Sequence, residues 1–99
     1  MTREKLELFV SGTNSRTEKL ERSVCQACGQ AFPAGFELTL INVFENFELA
    51  DEKDVFATPT LLKLTEPACR IVGDLTDGAS LLSRLEIVTE RAKVVSALH

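Results

Sequence analysis

The 99-residue chain has no tryptophan and no tyrosine, and its one histidine is its last residue, His99. Six Phe are therefore the only large aromatics, and Leu and Val must fill most of any interior. A mechanism built on a buried imidazole base has no candidate. An excess of positive charge is also missing. The 11 Lys and Arg against 15 Asp and Glu leave a net charge of −4, which argues against a nucleic-acid-binding surface or a polybasic membrane patch. No apolar run approaches the roughly 18 residues of a membrane span. Met1-Thr2-Arg3-Glu4-Lys5 leads straight into a strand-like segment, so neither a signal peptide nor a targeting motif is expected. There is no glycine-rich phosphate loop, so any ATP chemistry is expected to belong to a partner. Three cysteines, an odd count without a secretory signal, read as reduced thiols of a cytoplasmic protein.

What is present suits a single domain over residues 1–99, with 44% hydrophobic residues for one modest core. Lys5-Leu6-Glu7-Leu8-Phe9-Val10 places Leu6, Leu8 and Val10 on one face and Phe9 on the other, the pattern of an interior strand. Turn chemistry follows in Ser11-Gly12-Thr13-Asn14. Ser15-Arg16-Thr17-Glu18 then matches an S-x-x-E capping box and predicts a helix beginning at Ser15. Leu20, Val24, Ala27 and Ala31 form its core-facing stripe, and Phe32-Pro33-Ala34-Gly35 ends it. Phe36 to Phe44 reads as a second strand, which makes a βαβ unit with a parallel pair.

Asn46 is the expected cap of a short acidic helix, Phe47 to Asp54. Thr60 to Glu66, bracketed by Pro59 and Pro67, reads as a third strand, although Leu and Lys prefer helix. Ala68 to Val72 reads as a fourth, closed by Gly73-Asp74. Asp77 caps a last helix with Leu81, Leu82, Leu85 and Val88 inward; within it Leu85 to Thr89 has strand-like composition. The order β-α-β-α-β-β-α, with a proline heading the third strand, is the thioredoxin-like arrangement, and in that fold Pro59 is expected to be cis.

Cys25-Gln26-Ala27-Cys28 has the C-x-x-C spacing of thiol oxidoreductases. Such a couple needs its first cysteine at a helix N-terminus, where free amides stabilise thiolate. With the helix starting at Ser15, Cys25 lies about 15 Å along its axis. Where a thioredoxin holds its cysteines, just after the first strand, this chain has Ser11-Gly12-Thr13-Asn14. The expectation is therefore that Cys28 borders the apolar stripe and Cys25 lies on its flank. A zinc site would have to be drawn from Cys25, Cys28, Cys69 and His99, which lack ligand spacing, so no metal or other cofactor is expected.

Ala57-Thr58-Pro59-Thr60-Leu61-Leu62-Lys63 resembles the ATPTLxK segment of the KaiB family, the small partner proteins of bacterial circadian clocks. At matching separation, Arg70-Ile71-Val72-Gly73-Asp74-Leu75-Thr76 resembles that family's RIIGDLS segment. Val43 to Glu52 is similar to its DVxxNPxLAEE, and the likeness runs from about Leu6 to Val88. Phe47 stands where the family usually has proline, and Asn42 where it often has aspartate. Of the consecutive prolines that several members carry after the third strand, Pro67 alone remains. The acidic tail of some members is replaced by Arg91 to His99.

The resemblance implies a non-enzymatic protein that binds KaiC, a hexameric RecA-like ATPase, and then recruits KaiA. It also implies two alternative folds for the second half. One is thioredoxin-like, monomeric and competent to bind KaiC; the other is β-α-α-β in a homotetramer. The sensor domain of the SasA kinase is the related protein that keeps the thioredoxin-like fold. Two packings of one sequence must lie within a few kcal/mol of each other, and residues 59–67 and 85–89, where propensity is ambiguous, fall in the half that rearranges. Thr58, Pro59, Pro67, Gly73 and Asp74 are the candidate determinants of fold state, with the thioredoxin-like state expected to be well populated. Glu48, Leu49, Asp51, Glu52 and Lys53 are the candidate partner-binding residues. The alternative functions are an adaptor in a non-clock kinase or stress pathway and a thiol-disulfide oxidoreductase using Cys25 and Cys28.

Overall fold

Leu6, Leu8 and Val10 are shielded on one side of the first strand and Phe9 on the other, so this strand lies between two apolar layers. A computed structural model describes residues 3–73 and 75–97, with 88–97 as backbone alone. Its elements are β1 (Glu4–Val10), α1 (Ser15–Ala31), β2 (Phe36–Asn42), α2 (Phe47–Glu52), β3 (Thr60–Lys63), β4 (Cys69–Val72) and α3 (Gly78–Ala97). The strands form one four-stranded sheet in the order β2-β1-β3-β4. β1 runs parallel to β2, with Leu6 opposite Leu38 and Leu8 opposite Leu40. It runs antiparallel to β3, which continues antiparallel into β4.

The larger core lies between the sheet and the two long helices. Leu20, Val24, Ala27 and Cys28 of α1 and Leu81 and Leu85 of α3 meet Leu6, Leu8, Val10, Leu61 and Ile71 of the sheet. The expected stripe is thus in place, with Ala31 at its margin and Cys28 inside it as a small hydrophobe. Leu82 is half-buried, and the side chain of Val88 lies outside the described residues. On the opposite face Phe9, Ile41 and Leu62 are covered by Ala50, Leu49 and Val55 from α2 and the loop after it. The second half therefore takes the thioredoxin-like arrangement, and residues 85–89 are helical despite their strand-like composition.

Two helix caps and three element ends differ from the expectation. The capping box of α1 is built one residue early. Asn14 Oδ1 accepts from the amides of Arg16 (2.9 Å) and Thr17 (3.1 Å), while the Asn14 amide donates to Thr17 Oγ1 (2.8 Å), so Ser15 and Glu18 are not the box. β2 stops at Asn42 because that side chain turns the chain, accepting from the Phe44 amide at 3.1 Å. Asn46 stands at the N-cap of α2 but makes no side-chain cap, because its amide donates to the Asn42 carbonyl (3.0 Å). The helix ends at Glu52 rather than Asp54, whose φ of 55° is left-handed. β3 ends at Lys63, since Thr65 and Pro67 turn the chain into β4 and both of their carbonyls accept from the Lys63 ammonium (2.8 and 3.0 Å). At the start of α3, Asp77 Oδ1 accepts from the Ser80 amide as expected.

Candidate functional site

In this fold the loop after β1 and the loop before β3 meet at the end of the sheet. Gly12, at φ +85°, makes the first turn possible. Its amide donates to Asn42 Oδ1 (2.9 Å), the atom that also holds Phe44, so one side chain fixes both neighbouring loops. Ser11 Oγ and Thr58 Oγ1 lie 2.5 Å apart beside the cis Thr58–Pro59 bond. The place after β1 that carries a dithiol in a thioredoxin here holds Ser11-Gly12-Thr13-Asn14, with the Ser11 hydroxyl against that of Thr58.

The three cysteines are free thiols elsewhere, and their surroundings favour the protonated form. Burial pushes Cys28 up to about 12, assisted by the neighbouring Cys25 and Cys69. Cys25 is raised by burial and then by the Glu21 carboxylate. Cys69 is raised by burial, against an opposing pull from Lys63. A nucleophilic dithiol needs the opposite shift and a helix N-terminus. These thiols sit in the body of α1 and on β4, so the Cys25/Cys28 exchange reading loses its chemical basis. Among the described residues no three His, Cys, Asp or Glu side chains gather as a metal site, and His99 lies outside those residues.

The α2 face has a different character. Phe44, Phe47 and Phe56 are 60%, 66% and 84% exposed, although phenylalanine is normally a core residue. Phe44 and Phe47 pack edge to face with ring centroids 6.4 Å apart. Beside them runs an open groove of about 550 Å³, floored by Val43, Ala50 and Val55 and walled by Phe47, Phe56 and Thr58. Five carboxylates fall within residues 45–54 (Glu45, Glu48, Asp51, Glu52 and Asp54), and all five residues are exposed.

The positive groups nearby are turned to structural work. Lys53 Nζ pairs with Glu7 Oε1 at 2.7 Å, and the Arg70 guanidinium donates to the carbonyls of Lys53 and Asp54. Of the candidate partner-binding residues, Glu48, Asp51 and Glu52 thus point into solvent. Leu49 is half-buried against the smaller core, and Lys53 is tied to β1.

The candidate fold-state residues cluster where β3 and β4 begin and end. Thr58 contacts Ser11, and the Pro59 carbonyl accepts from the Gly73 amide (3.3 Å). Gly73 has φ +116°, and Pro67 follows a second cis bond. Asp74 lies outside the described residues. Sequence reasoning missed Phe44 and Phe56 as surface residues, and it missed Lys63 and Arg70 as the side chains that hold the turn after β3 and the end of α2. The signal in the sequence is partial: Phe56 falls between the expected acidic helix and the third strand, outside any apolar period, whereas Phe44 ends the expected second strand and reads as core.

No helix among the described residues is long and apolar enough to cross a membrane. Among solved structures, thioredoxin 1 of Thermosipho africanus superposes with a TM-score of 0.64 at 20% identity, covering 94% of this chain and 98% of that one. The N-terminal domain of Synechococcus elongatus SasA gives 0.60 at 23% identity, over 90% and 87%. These likenesses establish the thioredoxin-like fold. The circadian clock oscillator protein KaiB of Trichodesmium erythraeum is 34% identical over 86 residues, 86% of this chain and 83% of its own. The circadian clock protein KaiB3 of Synechocystis is 30% identical over 95 residues, 95% and 93% respectively. The KaiB domain model matches residues 7–87. A thioredoxin-like scaffold with no cysteine in the loop after its first strand thus carries a KaiB domain over most of its length, and the chain belongs to the KaiB family.

Proposed function

We propose that this chain is a non-enzymatic, cytoplasmic interaction protein that binds a KaiC-type hexameric ATPase in its thioredoxin-like state and takes part in circadian-type timing. The observation that carries this reading is the KaiB domain over residues 7–87 in a chain whose second half has the thioredoxin-like arrangement. The names of its relatives, clock proteins of cyanobacteria, support the timing role. In this reading the KaiC-facing surface is α2. Glu48, Asp51 and Glu52 reach the partner, while Leu49 and Lys53 hold the helix against the sheet. KaiA or a SasA-like kinase is the further partner. The free thioredoxin-like form is a monomer, and a homotetramer is the form of the alternative arrangement. Thr58, Pro59, Pro67, Gly73 and Asp74 decide between the two.

A pull-down with KaiC, with and without ATP, tests this, together with sizing and a two-dimensional NMR spectrum of the free protein. Nucleotide-dependent capture is expected, from a monomer with one set of thioredoxin-like signals. Failure to bind KaiC under ATP-hydrolysing conditions overturns the reading. A second reading, an adaptor in a kinase or stress pathway, is favoured by one observation: Phe47 stands exposed where family members usually have proline. Capture of a histidine kinase in preference to KaiC would select it.

A further inference from the structure

The exposed rings beside α2 and the charge around them have a joint consequence. A groove floored by Val43, Ala50 and Val55 offers its occupant apolar contact, and Phe47 and Phe56 stand at its edge with most of their surface in water. Rigid aromatics with few rotatable bonds lose little entropy when covered, which makes them the usual anchors of protein interfaces. Around the groove the five exposed carboxylates of residues 45–54 form no ion pair among the described residues. Lys53 is spent on Glu7, and Arg70 on two backbone carbonyls. Such a rim repels an acidic or aromatic-acidic surface, including a second copy of itself, and attracts a basic one.

We propose that this groove receives a partner segment with an aliphatic side chain flanked by Lys or Arg, the aliphatic group seated between Phe47 and Phe56 and the cations facing Glu48 and Asp51. The inference rests on the reading that α2 is the partner-facing surface, and it adds the chemistry of what docks there. One wall of the groove is Phe47, at the position where the resemblance leads one to expect proline.

The test has two arms on the full-length protein. In the first, an amphipathic leucine-lysine peptide is titrated into the isotope-labelled protein and compared with its leucine-glutamate counterpart. Shifts confined to residues lining the groove, with the lysine peptide alone and weakening as salt is raised, are expected. Shifts with both peptides, or elsewhere, overturn the proposal. In the second arm KaiC capture is measured for Phe56→Ala, Phe47→Ala and Glu48→Lys/Asp51→Lys. Each is expected to lower affinity by about tenfold or more. All of these positions are exposed, and an unchanged melting temperature separates lost contact from lost fold. Wild-type capture that none of the variants weakens overturns the groove but leaves the KaiC reading intact. No capture even by the wild type overturns the KaiC reading, and the peptide arm then decides the groove by itself. Concentration-dependent dimers that Phe56→Ala abolishes would make the occupant a second copy and overturn the proposal.

Discussion

The ammonium of Lys63, a residue only 3% exposed, sits 3.1 Å from the Glu4 carboxylate and donates to the carbonyls of Thr65 and Pro67. Phe32 lies under it, 5.8 Å from ring centroid to nitrogen, and Thr65 Oγ1 donates to the same Glu4 carboxylate. Three polar groups and a ring thus satisfy one buried cation, and removing it takes a charged partner from each, leaving Glu4 with the Thr65 hydroxyl. Lys63→Met keeps the aliphatic stem and is expected to cost about 2–4 kcal/mol in urea unfolding. The Lys53–Glu7 pair is the control. Its side chains are 30% and 16% exposed, so Glu7→Gln is expected to cost under about 1 kcal/mol. Equal costs for the two would refute the special standing of Lys63.

The thiols give a prediction in pH. Cys28 is raised from its ordinary 9.0 to about 12, chiefly by burial. Above the ordinary value an unfolded chain loses this proton while the folded one keeps it. The folded state then binds more protons, and stability must fall with rising pH. The contribution is fully present below about 9 and is lost as pH climbs toward 12. Wild type is therefore expected to lose stability more steeply than Cys28→Ala over that window. Near neutral pH the native protein is expected to react slowly with Ellman's reagent and to reduce insulin no faster than its Cys25→Ser/Cys28→Ser variant. With the part-exposed Cys25 and Cys69 both changed to serine, a rapidly reacting native thiol would contradict the buried position of Cys28.

The cap of α1 separates two adjacent candidates. Asn14 makes the box and Ser15 does not, so Asn14→Ala is expected to lower stability by about 1 kcal/mol, and Ser15→Ala by a few tenths at most. Thermal unfolding of the two variants decides, and the reverse order would restore the S-x-x-E box.

That one-residue shift illustrates what local pattern conveys. Periodicity places Leu20, Val24 and Ala27 inward and Leu6, Leu8 and Phe9 on opposite faces, because those positions depend only on the geometry of the helix and the strand. Which of two good capping residues acts depends on a neighbour, here the Thr17 hydroxyl that returns to Asn14. The end of β3 depends on a lysine folding back on the turn it precedes, and the end of α2 on a residue distant in sequence and on a left-handed backbone at Asp54. Lys63 gathers the carbonyls after β3, and Arg70 reaches back from β4 to hold the end of α2. The acidic half of the candidate site was legible as a charge run. Its aromatic half was not, since a phenylalanine near a strand end reads as core until the fold shows nothing covering it.

Gly73 offers a probe of the balance between arrangements. Its φ of +116° is one that side-chain-bearing residues rarely adopt, yet a Cβ there would meet nothing within 4 Å. Gly73→Ala therefore introduces backbone strain without a clash, about 1–3 kcal/mol against the present arrangement. The same residue's amide ties the end of β4 to the Pro59 carbonyl, so the strain falls where the second half is assembled. Each ~1.4 kcal/mol shifts a two-state ratio tenfold. The variant is expected to lose thioredoxin-like NMR signals in favour of a second set, or to melt earlier where no second state is accessible. Gly29→Ala is the matched control. It lies exposed within α1 with no positive φ and open space for its Cβ, and is expected to gain about 0.5–1 kcal/mol. A Gly73→Ala protein as stable as wild type, with an unchanged spectrum, would remove Gly73 from the residues that set the fold state.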